Sequence, residues 1–327
     1  MILFSRSFQL FSLNLAAVAW PSWLTGSSLW LHLATVILFA LGLFLILRRE
    51  GQGERAHFQA LEWLIPFGRT FFAVPLLLFG LQHFVFLNEV KDAVPSWMPW
   101  HIFWTCLVGA ALIAASLSIV TGIEAGLAAL LTGTMLFLFV LMIYMPNLIL
   151  HPHDPLAIEG PCRDLALSGG ALALAGTLGM SDGKRTGKKL AVGWLVHVGR
   201  WFFAVPMVYF GVEHFLHPEF APGVPLQVPM PPWLPMPLIW AYAMGAVLVV
   251  GGICILANKG ARPAATWLGV AFLLLVVFIY VPMGIVHPSI EISGELDNVA
   301  EKLAMSGAAL FVTGAIARKS KHAMNPL

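Results

Sequence analysis

Long apolar runs separated by short polar stretches set the rhythm of the chain. They cover 27–47, 58–87, 101–120, 123–150, 162–180, 190–215, 234–257, 264–286 and 299–317. A helix of about 20 apolar residues crosses a hydrocarbon layer of about 30 Å. The pattern therefore predicts nine transmembrane helices. Residues 8–23 form a weaker run, preceded by Arg6 and interrupted by Gln9, Asn14 and Pro21. Ala17-Val18-Ala19 has the small-residue form of a signal-peptide cleavage site. The expected reading of that run is an interfacial helix, with a cleaved signal or a tenth span as alternatives.

Two of the runs carry the same stretch. Residues 68–84 read GRTFFAVPLLLFGLQHF and residues 199–215 read GRWFFAVPMVYFGVEHF, with 11 of 17 positions identical. The match continues downstream. Pro99, Trp104, Tyr144, Pro146, His151 and Pro152 recur as Pro235, Trp240, Tyr280, Pro282, His287 and Pro288, each 136 residues on. Ser168-Gly169 recurs as Ser306-Gly307 at an offset of 138. The expected architecture is an all-α membrane protein with one N-terminal helix and two tandem four-helix bundles. The expected divisions are 1–57, 58–180, 190–317 and a basic tail at 318–327. The offset at the first repeated helix is 131, so the second unit has five extra residues in its first connecting loop. That loop holds seven prolines between Pro222 and Pro237, which predicts an extended, non-helical segment.

Composition agrees with the pattern. Of 327 residues, 59% are hydrophobic and 10% charged, and mean hydropathy is +0.85. A net charge of +2 argues against a nucleic-acid partner. The three cysteines, Cys106, Cys162 and Cys254, stand singly, without a CxxC pair. Lys and Arg set the orientation. Twelve fall in alternate connections and at the C-terminus, from Arg48-Arg49 to Lys321. Arg6, Lys91, Arg163 and Lys302 fall on the other side. This places the N-terminus outside and the C-terminus inside the membrane, with a bacterial cytoplasmic membrane as the expected location.

The same orientation gathers unusual residues on the outer side. His83, His214, His151 and His287 end their helices there, each present in both units. His153, His217, Asp154, Glu159, Glu213, Glu219, Glu291, Glu295 and Asp297 join them, with Trp97, Trp100 and Trp233. The expected ligand sites are two outer pockets lined by His83, His151 and Tyr144, and by His214, His287 and Tyr280. A neutral imidazole both donates and accepts hydrogen bonds, which suits a carbonyl ligand. A metal site is not expected. The second unit lacks counterparts of His153 and Asp154, and the first has Gln82 and Phe86 in place of Glu213 and His217. Arg69 and Arg200, set in apolar surroundings, are expected to bond backbone carbonyls at a helix end or to hold an anionic or quinone-like headgroup.

Arg69, Gly80 and His83, repeated as Arg200, Gly211 and His214, resemble the pattern of the DoxX family of four-helix membrane proteins. Gly109 and Gly245 fit its second helix. The resemblance covers 67–180 and 198–317. It implies a membrane accessory subunit of a quinone- or thiol-linked redox complex, working with partner proteins and lacking a complete catalytic centre of its own. Quinone is the cofactor the resemblance brings into view; the sequence assigns none. A purely structural subunit and a lipid or small-molecule binding or transport protein are the alternatives. The expected partners are membrane lipids and other subunits, bound on the outer side or within the membrane.

Overall fold

The computed structural model describes residues 62–152, 154–181, 186–224, 226–286 and 294–316. The expected helix at 27–47, the segment 8–23, His153 and His287 lie outside the described residues. Among them the chain forms eight long helices: α1 Gly68–Val85, α2 His101–Thr121, α3 Ala125–Leu150, α4 Pro155–Ser181, α5 Thr186–Leu216, α6 Pro237–Leu256, α7 Ala261–Val286 and α8 Glu295–Ala315. A 3₁₀ segment, Glu62–Phe67, leads into α1. Six of the helices are long and apolar enough to cross a membrane; α4 and α8 are the exceptions. The protein is an all-α membrane protein. For orientation within it, one end is called the histidine end, after His83 and His214, and the other the arginine end, after Arg69 and Arg200.

The two sets of four helices interlock. Each helix packs on its neighbours in the order α1–α2–α3–α4–α5–α6–α7–α8, and α8 returns to α1 to close the ring. α4 and α8 also pack on each other across the middle. The first helix of each set therefore lies against the fourth helix of the other set. Glycines make these crossings close, because the absence of a Cβ lets backbones approach. A methyl on Gly199 of α5 would fall 2.5 Å from the Gly169 carbonyl oxygen of α4. At the matching crossing, a methyl on Gly68 of α1 would fall 3.4 Å from the Gly307 oxygen of α8, and one on Gly307 would fall 2.9 Å from the Gly68 oxygen. Ser168 donates to the Gly133 carbonyl at 2.7 Å, and Ser306 to the Gly269 carbonyl at 2.7 Å. The repeat in sequence is thus a repeat of contacts.

α3 and α7 each widen into a π turn, at Val140–Tyr144 and Val276–Tyr280. Pro146 and Pro282 follow. A proline removes a donor and clashes with the carbonyl four residues back, so the helix relieves it with a wider turn before the ring. Each turn ends on a tyrosine.

Two expected boundaries need correction. α4 begins at Pro155 and α8 at Glu295, not at 162 and 299. Glu159, Glu295 and Asp297 are therefore helical residues rather than loop residues. α4 and α8 need no continuous apolar run, because the other helices enclose them. From Ala304 to Thr313 every residue of α8 is buried.

Candidate functional site at the histidine end

The extra helical turns carry charge into the centre of the protein. Arg163 lies on α4, and its Nη2 donates to the Tyr144 hydroxyl at 2.9 Å. Its Nε donates to Asp164 at 3.1 Å, and its Nη1 lies 3.6 Å from Glu301 and 3.9 Å from Glu159. Lys302 of α8 has no exposed surface. Its Nζ donates to Glu301 at 3.2 Å and sits 4.9 Å from the centre of the Tyr280 ring. Gln227, from the loop between α5 and α6, ties the groups together. Its side-chain nitrogen donates to Glu159 at 2.7 Å and to Glu301 at 3.0 Å, and its oxygen accepts from Lys302 at 2.6 Å.

Two cations thus meet three carboxylates. Uncompensated buried charge is costly, so the cluster favours holding one proton. Glu159 stands on the early turns of α4, ahead of the membrane-length stretch. Burial raises its carboxyl to about 7, with Arg163 opposing and Glu301 adding to the rise. With Glu159 protonated, the cluster is neutral.

The loop that carries Gln227 also enters the second set. Its turn is closed by Ala221 N–H to the Val228 carbonyl, 2.8 Å, and Met230 N–H to the Glu219 carbonyl, 2.9 Å. Ala221 and Val224 at its tip are buried. Between them, one peptide group is held from both sides. The Tyr280 hydroxyl donates to the Pro222 carbonyl at 3.0 Å, and the Gly223 N–H donates to His214 Nε2 at 3.0 Å. Both side chains are fully buried. Gly223 has φ +130°, a backbone conformation that favours glycine, and a methyl there would lie 3.2 Å from Leu275.

The structure thus brings His214 and Tyr280 together, around the protein's own loop. In the first set, His83 and Tyr144 occupy the matching positions and are only partly buried. His83 Nδ1 bonds the Phe79 carbonyl at 2.7 Å. A carbonyl only accepts, so Nδ1 carries the proton and Nε2 is an acceptor. His151 is exposed at the end of α3, which packs on α2 and α4, whereas α1 packs on α2 and α8. Arg200 donates to the Ile255 carbonyl at 2.7 Å, near the C-terminal end of α6, which is the backbone-capping role. Arg69 holds the matching place on α1. Among the described residues, no three His, Cys, Asp or Glu gather into a metal-sized group.

The residues missed in the sequence are Arg163, Asp164, Glu301, Lys302 and Gln227. A signal was there. At the offset of 138, Arg163-Asp164 falls on Glu301-Lys302, an opposite-charge pair in reversed order within otherwise apolar helices.

These features define a polytopic α-helical membrane protein with a buried ionic centre, whose two sets differ in how deeply the repeated histidine and tyrosine are buried. Residues 195–282 match the DoxX family model, a stretch that runs from within α5 to just past the second π turn and includes Arg200, Gly211 and His214. No curated protein and no solved structure matches the chain.

Proposed function

We propose that the protein is an accessory subunit of a membrane redox complex, quinone- or thiol-linked, that supports partner proteins rather than completing a catalytic centre alone. The observation that carries this reading is the loop tip held by His214 and Tyr280. The pair best suited to a carbonyl ligand is engaged by the chain itself, so a quinone headgroup would have to displace residues 222–223 to use it. The central charges are likewise engaged with one another, which fits a rigid platform better than a substrate path. The redox assignment itself comes from the DoxX match. The proposed setting is a bacterial cytoplasmic membrane, with the histidine end outside and the C-terminus inside, following the basic residues.

The test is purification from native membranes in mild detergent, read by absorbance and mass spectrometry. The expected result is a co-purifying redox protein, with quinone or another lipophilic redox molecule in the complex. A protein that purifies alone, in cells whose quinone reduction is unchanged when it is deleted, would leave the structural-subunit reading in its place.

A further inference from the structure

We infer that the histidine-end mouth of the first set is a docking site for a polypeptide loop of a partner protein, held through one peptide group between His83 and Tyr144. The second set supplies the template. There the group that fits is a Pro-Gly peptide unit flanked by Ala221 and Val224, with its carbonyl on a tyrosine hydroxyl and its N–H on a histidine nitrogen. The first set repeats the fittings. A methyl on Gly109 would meet the His83 Cβ at 2.7 Å, and one on Gly245 would meet the His214 Cβ at 3.1 Å, so the two Cβ atoms sit alike against the second helix of each set. Tyr144 and Tyr280 both end a π turn. The His83 ring keeps its proton on Nδ1, which leaves Nε2 to accept an N–H.

The difference lies in the loop. Residues 86–100 are five fewer than the corresponding 217–236 and include no buried residue, so this loop does not enter its own mouth. His83 and Tyr144 are correspondingly more exposed than His214 and Tyr280. The Tyr144 hydroxyl also bonds Asp164 and accepts from Arg163. An incoming carbonyl would exchange with the Asp164 carboxylate for the hydroxyl proton, while Arg163 still holds the tyrosine in place. The occupant is therefore a neutral loop that presents a residue-glycine peptide unit, as Pro222-Gly223 does. The existence of a partner rests on the accessory-subunit reading; the chemistry of the mouth does not.

The experiment uses the full-length protein in nanodiscs and a labelled cyclic peptide with the sequence of residues 219–230. Its ends join where Met230 N–H meets the Glu219 carbonyl. A second peptide carries sarcosine in place of Gly223, which removes only the N–H. Saturable binding of the first peptide is expected, about tenfold or more weaker for the second, as for a lost buried hydrogen bond. His83→Phe should weaken the first peptide to a similar degree. A photoreactive group at the Val224 position should label α1 or α3. Absence of saturable binding, equal affinity of the two peptides, or labelling confined to α5 and α7 would each overturn the inference. A protein that takes the peptide but purifies without a redox partner sinks only the redox reading. One that carries a redox partner and ignores the peptide sinks only this inference.

Discussion

Arg163 is the residue on which the ionic centre turns, because it touches Tyr144, Asp164, Glu159 and Glu301. Removing one partner of a buried pair leaves the other uncompensated and costs about 3–5 kcal/mol. Arg163→Met should therefore cost that much, read as a large fall in the melting temperature of detergent-solubilised protein. Glu159→Gln should cost less than about 1 kcal/mol, because the amide imitates the protonated carboxyl that burial favours. Equal losses in the two variants would mean that Glu159 is ionised in the folded protein. Arg163 did not stand out in the sequence. Arg163 and Lys302 fall at the ends of the expected spans 162–180 and 299–317 and there only help to set orientation; the early starts of α4 and α8 set them further inside their helices.

At the scale of the element, α4 and α8 reverse the usual inference from hydropathy. They are the least apolar of the long helices and the most enclosed. Small residues such as Gly169, Gly170, Gly307 and Ala308 let them approach their neighbours at backbone distance. A helix surrounded by protein can bury polar groups that bond one another, whereas a lipid-facing helix cannot. The crossings give a sharp test. Gly199→Leu places its Cβ against the Gly169 oxygen and the Ala173 nitrogen, at 2.5 and 2.7 Å, where only backbone could yield. It should cost at least about 1–3 kcal/mol, as overpacking does. Gly193→Leu, on the same helix with nothing within 4 Å, should be tolerated. Thermal unfolding of the two variants decides the point; similar melting temperatures would show the crossing to be looser than the geometry states.

For the whole molecule, the interlocked ring makes the two sets dependent on each other. α5 packs on α4 and α1 on α8, so neither set completes its own packing. A chain cut between Ser181 and Thr186 should yield two halves that fail to give monodisperse protein when expressed singly. Expressed together, they should assemble into a species of the parent size. Fluorescence-detected size-exclusion chromatography measures this. A second half that is monodisperse alone would mean that the contacts between α4 and α5 are dispensable.

Much of the protein was legible in the sequence. Apolar run lengths determined the spans, since a bilayer imposes its thickness on any chain that crosses it. The repeated stretch located both arginines and both histidines. His214, His287 and Tyr280 stand out together, because a matched residue at a matched offset marks a repeated position; His214 and Tyr280 meet at the loop tip, and His287 lies outside the described residues. Only the tertiary structure decided which helices meet. Nothing in an apolar run says that α1 will lie against α8 rather than α4, because lipid-facing and protein-facing apolar residues are chemically alike. The same decision placed Gln227 between two carboxylates and folded residues 221–224 over His214. These contacts join positions 68 to 75 residues apart around Gln227, and 9 and 58 apart at the loop tip. They depend on the loop reaching back into the bundle, which its five extra residues permit and local sequence does not specify.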